Sequence, residues 1–150
     1  MRIYTYLAAM LPDRCSCHGL RKATRHLTQF YDQRLAPAGL NIGQYALLGR
    51  LAAHGPIALG ALAAIMAMDR TTLGRNLQPL ERDGLVAIGP DPADRRSRLL
   101  ALTPEGEARR ATARPLWAAA QDDIETRFGA DRTQALRLLV AELLATDLSA

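Results

Sequence analysis

Apolar residues along this chain recur at helical spacing in most stretches and at strand spacing in only one. Leu20, Ala23, Leu27, Phe30, Tyr31 and Leu35 share one face of a helix expected from about Ser16 to Leu35, with Arg21, Lys22, Arg25, Gln29 and Arg34 between them and Pro37-Ala38-Gly39 as the stop. Tyr45, Leu47, Leu48 and Leu51 predict a second helix, Ile42 to His54, closed by Gly55-Pro56. A short, alanine-rich third helix covers Leu59 to Met66, where small side chains permit close helix contact. Leu73, Leu77 and Leu80 then stand at i, i+4 and i+7. Asp69 is placed to cap that helix, and Asp83-Gly84 ends it. Leu85 to Ile88 and Arg98 to Leu102 read as two short strands joined across Gly89-Pro90-Asp91-Pro92. Thr103-Pro104-Glu105 opens a long helix to Phe128, with Leu116, Trp117, Ala120, Ile124 and Phe128 apolar and a bend expected at Pro115. Gly129 stops it, and Asp131 is expected to cap a last helix carrying Leu136, Leu139, Val140, Leu143 and Leu144. The expected fold is mainly α with a small β-hairpin wing.

The helix after Asp69 has two unlike faces. Opposite its leucines stand Thr71, Arg75, Gln78 and Arg82, with Arg70 at the N-terminal end and Asn76 at the margin. Arginine can fork onto guanine, glutamine can pair with adenine, and threonine offers a hydroxyl or a methyl group. Alone, this face favours an ordinary solvated helix. The hairpin that follows gives it a second basic element, because Asp94-Arg95-Arg96 lies at the tip. Adjacent exposed arginines suit the negative potential of a minor groove, and Asp94 is expected to orient one of them through a bidentate pair. Pro79 should free the carbonyl of Arg75 and give the helix a mild kink.

The order of capped helix, DRTTL, leucine stripe, GLV strand, the wing string DPADRRSRLLALT and PEG resembles the MarR family of winged helix-turn-helix transcriptional regulators. The resemblance runs from about Cys17 to the C-terminus and leaves the first dozen residues uncovered. It implies a single MarR-like domain over residues 15–150. A winged DNA-binding lobe would span about 41–103, and dimerisation helices about 15–36 and 104–148. Residues 1–14 are left as an N-terminal arm. The apolar face of the last helix, together with the first helix, then reads as the dimerisation bundle. A two-fold dimer places two recognition helices about 34 Å apart and predicts a pseudo-palindromic operator in double-stranded DNA.

The resemblance also implies regulation. Small aromatic or phenolic acids bound between the dimerisation helices and the winged lobe are the family's usual effectors, and Phe30, Tyr31, Tyr45, Arg50 and Trp117 are the candidate lining here. Peroxide-sensing members carry a reactive cysteine at the start of the first helix. Cys17 stands in a similar place, near Arg14, Arg21 and Lys22, with Tyr31 as a possible partner and Ile42 where a second tyrosine would be expected. The alternative for Cys17 is a small buried helix residue.

Composition changes this picture little. At 150 residues, 49% hydrophobic and 23% charged, the chain is long enough for one domain with a real core. A net charge of +4 with a pI near 9.6, nearly all of it arginine since Lys22 is the single lysine, suits an anionic partner without proving one. The short apolar run Tyr6 to Leu11 behind Arg2 is a poor signal peptide, and no stretch is long enough to span a membrane, so a cytoplasmic protein is expected. No GxSxG, phosphate-loop or HExxH motif is present, and His18, His26 and His54 are scattered. An enzyme, a cofactor and a metal site are therefore not expected. Cys15-Ser16-Cys17-His18 is a poor zinc site, and a Cys15–Cys17 disulfide would be strained. The expected function is a homodimeric DNA-binding repressor. The competing readings are a thiol-based peroxide sensor and a winged-helix module that binds protein instead of DNA.

Overall fold

The computed structural model describes residues 15–149; the N-terminal arm expected at 1–14 lies outside the described residues. Helix α1 (Ser16–Leu35) runs into a 3-10 turn, Ala36–Ala38, which Gly39 closes in the left-handed conformation at φ 68°. Helix α2 (Ile42–His54) begins with a capping box. Asn41 Oδ1 accepts the Gln44 amide at 2.8 Å, and Gln44 Oε1 accepts the Asn41 amide at 3.0 Å. Asp32 of α1 accepts the Ile42 amide at 2.8 Å, so the same helix start is also tied back to α1.

Strand β1 (Ile57–Ala58) and helix α3 (Leu59–Ile65) lead to helix α4 (Arg70–Arg82). The turn between the two helices puts Ala67 at φ 51°, a conformation that costs a side chain about 1 kcal/mol. Leu73, Leu77 and Leu80 of α4 are fully buried, as their spacing requires. Pro79 stands inside α4 without ending it, since the Asp83 amide still reaches the Pro79 carbonyl at 2.9 Å. Strands β2 (Val86–Pro90) and β3 (Arg98–Leu102) pair antiparallel, with Ile88 opposite Leu100. The first wing strand lies further along the chain than expected. β1 adds a third strand beside β3, pairing Ile57 with Leu100, which the sequence reading did not include.

Helix α5 (Pro104–Phe128) is one continuous helix through Pro115, and α6 (Ala130–Ala145) follows after Gly129. Two expectations change here. Asp131 does not cap α6: Gly129 holds the N-cap position, and no side chain caps the helix. Asp131 sits in the first turn, where its charge suits the helix dipole, while Thr133 is buried and donates back to the Gly129 carbonyl at 2.9 Å. Phe128, expected among the apolar positions of α5, is exposed.

The buried core gathers Leu35 and Leu40, Leu47, Leu48 and Leu51 of α2, Leu62 of α3, the three α4 leucines, Leu85, Val86, Leu100 and Ala113 of α5. The wing is locked to α5 at one point. Thr103 donates its hydroxyl to the Gly84 carbonyl at 2.7 Å and its amide to the Leu85 carbonyl at 3.1 Å, and its oxygen caps α5 by accepting the Gly106 amide at 3.0 Å. A Cβ at position 106 would lie 2.1 Å from the Leu85 oxygen, so only glycine lets α5 come this close.

Candidate nucleic-acid interface

The N-cap that starts α4 determines how its first turn presents its side chains. Asp69 accepts the Thr72 amide at 2.8 Å with one oxygen and the Thr72 hydroxyl at 2.6 Å with the other. Those two bonds, the hydroxyl first, hold the Asp69 carboxyl below the usual aspartate range. Thr72 is thereby occupied with the cap. The remaining polar residues of the helix, Arg70, Thr71, Arg75, Asn76, Gln78, Glu81 and Arg82, are exposed.

These groups differ in how free they are. Arg82 pairs with Asp83 at 3.1 Å. Asn76 donates to the Met68 sulfur at 3.6 Å, which ties it to the loop before the helix. Among the described residues, none of the ion pairs involves Arg70, Arg75, Arg95 or Arg96. Unpaired guanidinium groups concentrated on one helix face and one loop give a field and a set of donors directed outward.

The wing tip is built by local bonds to backbone amides. Asp91 accepts the Ala93 amide and Asp94 accepts the Arg96 amide, both at 2.9 Å, and the Ser97 amide reaches the Asp94 carbonyl at 2.8 Å. The expected pair between Asp94 and an arginine is not formed. Asp94 orients the tip by folding the turn beneath Arg95 and Arg96, because its short side chain meets its own backbone two residues on. Both arginines remain exposed.

The aromatic residues suggested for an effector are not brought into one cavity. Tyr45 and Trp117 meet at 5.9 Å between ring centroids, partly buried against the core. Phe30 and Tyr31 meet edge to face at 5.6 Å, with Arg34 stacked over Phe30 at 4.5 Å. Burial raises the Tyr31 hydroxyl pKa, and the Arg137 charge partly offsets the rise. Arg50 is exposed. A cavity of about 490 Å³ between α1, α5 and α6 takes Phe30 but none of the other four, and a groove of about 390 Å³ takes Trp117 beside Arg137. A third cavity of about 490 Å³, at the junction of α2, β3 and α5, is lined by Leu51, Pro56, Leu102, Glu107 and Arg110, residues that no motif or periodicity groups together.

Cys15 occupies the N-cap position of α1, and Cys17 lies in its first turn. Both are exposed in the single chain. Among the described residues, no three His, Cys, Asp or Glu side chains come together as a metal site, and no helix is long and apolar enough to cross a membrane.

Residues 38–97 match the MarR family profile. The transcriptional regulator HosA of Escherichia coli O111:H- is 30% identical over 128 residues, 82% of this chain and 95% of HosA. The HTH-type transcriptional repressor NicR of Pseudomonas putida is 34% identical over 91 residues, 61% of this chain. That match spans 58% of NicR, and a second curated match, BadR of Rhodopseudomonas palustris, is spanned over 41% of its length. Among solved structures, the Mycobacterium tuberculosis regulator MosR in complex with DNA superposes with a TM-score of 0.73 at 34% identity, covering 89% of this chain and all of MosR. Bordetella bronchiseptica BpsR, whose DNA binding is regulated by 6-hydroxynicotinic acid, gives a TM-score of 0.78 at 25% identity, covering 89% of this chain and 96% of BpsR.

Proposed function

Because the chain belongs to the MarR family of transcriptional regulators, we propose that it is a homodimeric, sequence-specific DNA-binding repressor released by a small aromatic or phenolic effector. The observation that carries this reading is the unpaired, exposed set of donors on α4 and at the wing tip. Arg70, Thr71, Arg75, Asn76 and Gln78 enter the major groove, and Arg95 and Arg96 the minor groove, with Asp94 shaping the loop that carries them. Residues 41–103 form the winged lobe. Helices 15–36 and 104–148 pair with a second copy, and the protein works in the cytoplasm.

The dimer is supported by Leu136, Leu139, Val140, Leu143 and Leu144, all left exposed on α6 in the single chain. The repressor role and the effector class follow what is said of NicR and BpsR. A fluorescence-anisotropy titration on operator DNA, with excess non-specific competitor at physiological salt, tests the reading. Nanomolar-range binding that survives competitor and is lost in Arg75→Ala is expected. Affinity that is insensitive to salt and to Arg95 and Arg96 would instead indicate a protein-binding module. Thermal stabilisation by benzoate or hydroxycinnamate analogues tests the effector class, and no shift with any of them would remove it.

The exposure of Cys15 and Cys17 favours a second reading, a repressor released by oxidation of Cys17. Peroxide-induced release from DNA that is unchanged in Cys17→Ser would exclude it.

A further inference from the structure

Arg70 is the first residue of α4, yet its guanidinium is folded back onto the preceding helix. An ideal Cβ built on Gly60, in the first turn of α3, would fall 2.8 Å from Arg70 Nη2 and 3.2 Å from both its Cζ and its Nε. The planar head of Arg70 therefore lies on the bare backbone of Gly60, in the space that any side chain there would fill. Gly49 in α2 shows the contrast, since a Cβ there meets nothing within 4 Å.

We propose that Gly60 is a positioning residue that seats the Arg70 guanidinium across the starts of α3 and α4, and that Arg70 so held contacts a DNA phosphate and reads no base. This rests on the DNA-binding reading above and replaces the groove contact given to Arg70 there with a phosphate contact. In a helix-turn-helix the first helix crosses the phosphate backbone while the second enters the groove. A side chain drawn back onto α3 is withdrawn from base edges and turned toward the backbone that α3 meets. Arg70 has no acidic partner among the described residues, so its charge is available to a phosphate. Thr71, Arg75 and Gln78 keep the base-reading role, and Arg70 fixes their register.

The seat has an unusual energetic signature. Alanine at position 60 is a better helix former than glycine, and the atoms it would strike are the far end of a flexible side chain. Gly60→Ala should leave the thermal midpoint unchanged or higher while moving Arg70 off its seat, whereas a residue needed only for packing would lose stability and binding together.

The test measures affinity against salt for the wild type, Gly60→Ala, Arg70→Ala, the double variant and Gly49→Ala as control. The probes are the operator and scrambled duplexes of about 30 base pairs, roughly three helical turns. Gly60→Ala and Arg70→Ala should each weaken binding several-fold to about tenfold, equally on both duplexes, and lower the slope of log affinity against log salt by about 1.8, which is about 0.9 for each of the two Arg70 contacts a dimer makes. Gly60→Ala should add nothing in the Arg70→Ala background, and Gly49→Ala should bind as wild type. A Gly60→Ala protein with wild-type affinity and slope, or an Arg70→Ala loss confined to the operator, overturns the proposal. A wild type that binds neither duplex removes the DNA-binding reading and the phosphate role with it. In that event the seat is still read by the Arg70 Nε–Hε NMR resonance, which shifts in Gly60→Ala if the guanidinium lies on Gly60 and stays in place if it does not.

Discussion

In the winged lobe Leu47, Leu48, Leu51, Leu62, Leu73, Leu77 and Leu80 are all buried to 1% exposure or less, whereas on α6 Leu139 and Leu144 stand 63% and 77% exposed. Both regions use leucine at helical spacing. They differ in what surrounds them. The lobe closes on itself, with α2, α3, α4 and the sheet contributing to one core, while α6 packs against α5 along one side and leaves the rest of its apolar surface bare. Leucine periodicity thus marks a face that wants burial and leaves open whether the covering surface lies within the same chain.

The largest effects should come from the lobe. Leu77→Ala removes a fully buried side chain and should cost about 3 kcal/mol, read from the midpoint and slope of urea unfolding. Gly106→Ala forces a Cβ against the Leu85 carbonyl where wing and α5 are locked, and should cost about 2 kcal/mol by the same measurement. On α6, Leu139→Glu should leave the fold of the chain intact and act on association. Sedimentation should show dissociation to single chains, and the thermal midpoint should no longer rise with protein concentration. If Leu139→Glu unfolds the protein as Leu77→Ala does, or leaves association untouched, the contrast between the regions fails.

The same contrast explains what could be read in the sequence. The bounds of α1, α2, α4, β3 and α5 were legible because each carries a local signal, such as Asp69, Thr103-Pro104 or Gly84. The capping box Asn41/Gln44 carries a signal too, an Asn followed three residues later by Gln. Strand β1 had none: two residues show no alternation, and Ile57 and Ala58 become a strand only by pairing with Leu100 and Leu99 far along the chain. Asp131 illustrates the reverse error, a good capping residue placed two positions inside the helix that Gly129 starts. At the candidate site, exposure of the α4 residues followed from the period of the helix, and that of Arg95 and Arg96 from their place at the hairpin tip. The Asp94 turn is local and had a residue-type signal, an Asp able to accept the amide two residues on, whereas the contact of Arg70 with Gly60 and the separation of the effector aromatics depend on tertiary placement, on which residue type is silent.

The smallest effects are electrostatic, and they too divide by region. Asp69 in the lobe and Asp123 on α5 both hold their carboxyls below the usual range. For Asp69 the causes are neutral donors, the Thr72 hydroxyl and then its amide. For Asp123 the first cause is the Arg34 hydrogen bond at 2.6 Å, with Arg127, also at 2.6 Å, bonding and attracting the same carboxylate. A depressed folded value means that each group stabilises the fold above its unfolded pKa, near pH 4, and that this contribution is lost as the pH falls through the folded value. Carboxyl-detected NMR titration should therefore place both midpoints below about 3.9 at low salt. Raising the salt screens the arginine charges and should move Asp123 back toward the ordinary value while leaving Asp69 nearly where it was. Equal salt responses would mean that the α4 cap is held by charge after all, and that the two regions do not differ in how they keep a carboxylate ionised.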